Sequence, residues 1–112
     1  MKVYHRFKYL RIEWLRHVAS GLGGIRLASI FRRFCTNYEY YASGLPDLLL
    51  VRMESLRDGN PSVLFVEVKG ENDKLSEKQL DWIEFFQQHA FNFELCKVGG
   101  VFLLCFIIDF KK

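Results

Sequence analysis

A chain of 112 residues has room for one domain, and with half its residues hydrophobic and 16% aromatic it is no disordered tract and should bury a core unaided. The formal charge of +3 hides an asymmetry: up to Arg33 eight basic side chains accompany one acid, Glu13, whereas residues 34–112 carry eight basic and twelve acidic ones. Three cysteines without paired spacing imply neither a disulfide framework nor a zinc site, no apolar run reaches the roughly 20 residues of a membrane helix, and Met1–Arg6 lacks the apolar centre of a secretory signal.

In chain order, Val3, Phe7, Leu10, Trp14 and Val18 recur at helical spacing ahead of Ser20-Gly21, so a first amphipathic helix is expected over His5–Ala19. Leu27, Ala28, Phe31, Phe34, Cys35 and Tyr38 mark a second, with Arg26, Arg32 and Arg33 on its outer side. Those arginines suit either phosphate contact or a solvated face. Tyr38–Tyr41 reads as a short first strand entering the turn at Ser43-Gly44, where Gly44 is free to take a positive φ and Pro46 pushes Leu45 extended. Leu48–Val51 and Val63–Lys69 are apolar runs too short for globular helices and read as buried strands, joined by a loop over Arg52–Pro61. Ser76 and Gln79 then form a capping box for a helix reaching about His89, followed by the alternation of Phe91, Phe93 and Leu95 with Asn92, Glu94 and Cys96 in a further strand. The cysteines, in mostly apolar company, are expected to be buried thiols, and the three histidines, far apart, surface or helix-end residues.

Within this frame Asp47, Glu67 and Lys69 are out of place. A carboxylate or ammonium on a buried strand costs several kcal/mol unless something charged or hydrogen-bonding meets it. Glu67 and Lys69 are two residues apart and share a face, while Val66 and Val68 point to the other. With Asp47 beside Glu67, the three would form a metal site with a cation next to it; alternatively Asp47 only opens a turn and Glu67 pairs with Lys69 at a sheet edge. Gln79 has two readings as well, a backbone cap or an amide at a helix start facing the site.

Pro46-Asp47, then Glu67-Val68-Lys69 followed by Gly70, resembles the signature of the PD-(D/E)XK nuclease superfamily. With Gly44-Leu45-Pro46-Asp47-Leu48, Asn72-Asp73-Lys74-Leu75-Ser76, Lys78-Gln79 and Trp82, the chain is most similar to its VRR-Nuc branch, and Leu22-Gly23-Gly24, Phe34 and Tyr38 extend the likeness toward the C-terminal domain of the Fanconi anaemia-associated nucleases. The resemblance covers about Phe7–Val98. It implies an α/β fold with the superfamily's αβββαβ core and a mixed sheet, which is also the element order read from periodicity. It implies a Mg²⁺- or Mn²⁺-dependent deoxyribonuclease of DNA repair, acting in the nucleus on branched or flapped DNA as a 5′ flap endonuclease or exonuclease, with no membrane partner. Asp47, Glu67 and the Val68 carbonyl would hold the metal, with Lys69 and Gln79 as further catalytic residues. Many superfamily members add a glutamate from an early helix; Glu13 is the only early acid, at a position that does not fit that alignment. The alternative is a catalytically silent DNA-binding or assembly module on the same fold. Residues 1–98 form the expected nuclease domain, and the apolar tail 99–112, without a family counterpart, is read as either an added edge strand or a non-native end.

Overall fold

The computed structural model describes residues 12–52, 61–99 and 102–107. The first turn expected at Val3–Leu10, most of the loop after Arg52 and the last five residues lie outside them. In order the elements are α1 (Ile12–Leu22), α2 (Gly24–Thr36), α3 (Tyr38–Ser43), β1 (Leu48–Arg52), β2 (Ser62–Gly70), α4 (Glu77–Gln88), β3 (Phe93–Gly99) and β4 (Phe102–Ile107). The strands form one mixed sheet in the order β1-β2-β3-β4: β1 and β2 are antiparallel, β2 and β3 parallel, β3 and β4 antiparallel. The α/β class with a mixed sheet is as expected. β4, from the apolar tail, is the strand beyond β3.

Three local expectations are corrected. α1 runs through Ser20 and Gly21 and ends at Gly23, whose φ of +82° suits a residue without a Cβ. Tyr38–Tyr41 is helical, not a strand, because Asn37 is extended at φ −161° and its side chain accepts the Tyr40 N–H, capping α3; this local cap outweighs the aromatic preference for strands. The leucines of β1 are 42–50% exposed, since β1 lies at a sheet edge rather than within it. Cys35, expected inside, is exposed on α2, whereas Cys96 is buried.

The core lies between the helices and one sheet face. Phe65 and Phe93 are laterally paired on β2 and β3, and Phe86 of α4, fully buried, stacks on both at ring separations of 4.7 and 5.5 Å. Trp82, one turn earlier and 1% exposed, meets Phe34, Tyr41, Phe85 and Phe86 and donates its indole N–H to the Tyr41 carbonyl at 2.7 Å. Aromatic pairs in these tilted and offset geometries add to the area they bury. The contacts fix α4 against the sheet, and with it the end of the helix that faces Glu67.

Candidate active site

The register of β1 and β2 makes Leu48 opposite Val66, and one step further along an antiparallel pair lies Asp47 opposite Glu67. Directly opposed residues project from the same side of a sheet, so the two carboxyl groups share one face. The turn that delivers Asp47 has a different basis from the one expected. Gly44 has φ −102°, not a positive value; a Cβ there would lie 2.8 Å from the Lys78 backbone, so the glycine permits the close approach of the turn to the start of α4.

Phe65 donates its N–H to the Asn92 carbonyl at 3.0 Å, toward β3. Backbone groups alternate sides along a strand, so Val68 presents both N–H and C=O toward β1. β1 starts only at Leu48, and the Val68 N–H is taken instead by Asp47 Oδ2 at 3.0 Å. The Val68 carbonyl is thereby directed to the same edge as the Asp47 carboxylate.

Glu67 is 3% exposed, one of two polar residues in the core among those described. Its Oε1 receives the Gln79 side-chain N–H at 2.7 Å and lies 3.7 Å from Lys69 Nζ. Gln79 performs both of its expected tasks at once: Oε1 accepts the Ser76 N–H at 2.9 Å, completing the capping box with the Gln79 N–H on Ser76 Oγ at 3.2 Å, while Nε2 holds Glu67. The carboxyl borders a narrow crevice with Pro46, Gln79, Ile83 and Phe93. Burial raises the Glu67 pKa, the Asp47 charge raises it further, and Lys69 opposes both. Asp47 is exposed, so the expectation of two buried acids holds for Glu67 alone.

The upward shift fixes a pH dependence. With the folded pKa above the unfolded one, Glu67 contributes stability that is complete below its ordinary pKa and is lost as pH rises through the raised value. Metal-free melting curves of Glu67→Gln and the unmodified chain should therefore diverge with rising pH across that window, the Gln form gaining in relative stability. A difference that is flat with pH would show that Glu67 ionises as it does in the unfolded chain.

Other expectations fare differently. Glu13 is exposed on α1, and among the described residues no His, Cys, Asp or Glu joins Asp47 and Glu67 in a group of three fit to hold a metal. Two of the three arginines proposed for phosphate are occupied internally. Arg26 Nε donates to the His89 and Ala90 carbonyls at 3.2 Å, closing the end of α4. Arg33 lies over the rings of Tyr41, Phe85 and Trp82 at 4.2–4.8 Å, with Asp81 at 3.4 Å. Arg32 alone remains exposed. One charged residue was missed. Lys97 stands beside Lys69 in the β2–β3 register; the alternation of Phe93 and Leu95 pointed to it, but β3 continues past the Cys96 at which the strand was expected to end.

Among known proteins, the model of the VRR-NUC domain matches residues 4–100. The chain belongs to the VRR-NUC domain family. Its relatives include the Fanconi-associated nuclease 1 homolog of Oryza sativa subsp. japonica, 42% identical over 80% of this chain and 10% of that protein, and Fanconi-associated nuclease 1 of Homo sapiens, 31% identical over 84% and 9%. The chain thus spans about a tenth of the length of these relatives. Among solved structures, paFAN1, crystallised bound to 5′ flap DNA with a gap, superposes with a TM-score of 0.64 at 24% identity, over 85% of this chain and 17% of that one. The fold of this VRR-NUC domain is therefore that of the FAN1 nuclease domain. No helix among the described residues is long and apolar enough to cross a membrane.

Proposed function

We propose that this VRR-NUC domain is the catalytic unit, spanning residues 1–98, of a metal-dependent nuclease that hydrolyses phosphodiester bonds in branched or flapped DNA during repair in the nucleus. The observation that carries this reading is the buried Glu67 carboxyl, opposed by Asp47, tethered by Gln79 at 2.7 Å and accompanied by Lys69 at 3.7 Å. A buried acid driven toward protonation by its acidic neighbour is a strained arrangement for a purely structural pair. It is a suitable donor set for a hard divalent cation, which prefers carboxylate and carbonyl oxygens.

The residues fit Mg²⁺ or Mn²⁺, held by Asp47, Glu67 and the Val68 carbonyl. Such a cation supplies Lewis acidity, lowering the pKa of water and neutralising charge that builds on the phosphate. Gln79, fixed at the start of α4 by the capping box, sets the Glu67 carboxyl in one orientation. Lys69, three-quarters or more withdrawn from solvent and paired with Glu67, positions or deprotonates the attacking water and stabilises the transition state. The 5′ flap preference comes from the relatives and the paFAN1 complex.

Lys69→Ala separates these roles. Because the ammonium is not a ligand, Mn²⁺ binding should survive, while the single-turnover rate on flap DNA should fall ~10²-fold or more. Calorimetry run beside the cleavage assay reads both quantities. Unchanged cleavage would remove Lys69 from the mechanism. A chain that binds DNA but neither binds Mn²⁺ nor cuts with it would instead be a silent module on the nuclease fold.

A further inference from the structure

Across the face that carries Glu67, the charged residues change sign from one strand to the next. Asp47 precedes β1, Glu67 and Lys69 lie on β2, and Lys97 lies on β3 as the lateral partner of Lys69. Neighbouring strands run about 4.8 Å apart and laterally paired residues share a face. Two lysines are thereby set side by side at the end of the parallel pair. Like charges directly opposite each other on a sheet are unfavourable. Lys69 is compensated by Glu67 at 3.7 Å, but Lys97 is exposed and makes no hydrogen bond or ion pair with another described residue. An anion against this pair would relieve the repulsion. In a nuclease the anion presented there is the nucleic-acid backbone.

We propose that Lys97 is a positioning residue that grips a backbone phosphate of the DNA strand next to the one under attack, on the β3 side of the Glu67–Lys69 centre. This rests on the nuclease reading above and adds a substrate contact to it. A lysine with a flexible stem recognises phosphate as a point charge, so the contact fixes the strand's position along the sheet without reading sequence. Lys69, committed to Glu67, serves the chemistry, and Lys97 serves the hold.

The test is the salt dependence of binding to a fluorescently labelled 5′-flap DNA, followed by anisotropy with Ca²⁺ in place of Mg²⁺, for the unmodified chain, Lys97→Ala and Lys97→Arg. A lost phosphate contact should weaken binding by ~3- to 10-fold near physiological salt and reduce the slope of log K against log salt by about 0.7–0.9. Lys97→Arg, which keeps the charge, should restore both. In cleavage assays with Mg²⁺, KM should rise in Lys97→Ala while kcat stays within ~2-fold. An unchanged slope in Lys97→Ala, with the unmodified chain binding normally, would overturn the inference and leave the nuclease reading intact. So would a loss shared by Lys97→Arg and accompanied by a lower melting temperature, which marks a structural role. Failure of the unmodified chain to bind DNA at all would overturn the nuclease reading and this inference with it.

Discussion

Glu67→Gln and Asp47→Asn are each expected to slow cleavage of flap DNA by roughly 10²- to 10³-fold or more, the equivalent of several kcal/mol of transition-state stabilisation. Both changes are nearly isosteric. Gln79 retains a hydrogen-bond acceptor at position 67, and the Val68 N–H retains one at position 47, so the folded state should persist. For Glu67→Gln the apo protein should become more stable at neutral pH, because burial and the Asp47 charge both disfavour the ionised carboxyl. Loss of activity joined to unchanged or improved thermal stability is the signature of a charge kept for function. Circular dichroism melts alongside single-turnover assays measure it. Cleavage at the unmodified rate in either variant would exclude that carboxylate from the mechanism.

Trp82→Ala should have the largest effect on stability. The side chain is 1% exposed, touches four aromatic rings, lies under the Arg33 guanidinium at 4.8 Å and donates its N–H across 41 residues of sequence to the Tyr41 carbonyl. Large aromatic truncations in cores cost about 3–5 kcal/mol, and the lost indole also leaves the Tyr41 carbonyl unpaired. Against a total stability of about 5–15 kcal/mol for a domain of ordinary size, the chain should be partly unfolded at 37 °C. Urea denaturation of Trp82→Ala and Trp82→Phe distinguishes the terms, the Phe form recovering much of the ring packing without the hydrogen bond. A loss below ~1 kcal/mol in Trp82→Ala would mean that α4 is not anchored by this contact, and the orientation of Gln79 toward Glu67 would need another cause.

These two residues also mark what was legible in the sequence. α4 was readable in full at its start, because a capping box is a local rule: Ser76 and Gln79 are three apart and the bonds they make span those three residues. Glu67 and Lys69 on one face followed equally from the period of a strand. The pairing of Asp47 with Glu67 required the β1–β2 register, which no local rule supplies. The Pro46-Asp47 and Glu67-Val68-Lys69 motif filled that gap through family resemblance.

The failures are of the same kind. Tyr38–Tyr41 has strand-like composition, and the single side-chain bond from Asn37 that makes it a helix is worth about 1 kcal/mol, enough to decide a six-residue segment. The leucines of β1 look like a buried strand, and only strand order reveals an edge. Arg33 looked like a phosphate contact on a helix face; the rings that enclose it come from positions 41, 82 and 85, brought together by the packing of α2, α3 and α4. Lys97 was overlooked because the strand runs three residues further than Cys96.

The central claim is that Asp47 and Glu67 act as one cation site, and a calorimetric titration of Mn²⁺ into the metal-free chain tests it most directly. The unmodified chain should give a saturable isotherm that is lost in both Asp47→Asn and Glu67→Gln, while Lys69→Ala and Glu13→Gln leave it within about twofold, since neither is placed among the ligands. An isotherm that is the same in Glu67→Gln as in the unmodified chain would contradict the account, as would the absence of any saturable heat in the unmodified chain.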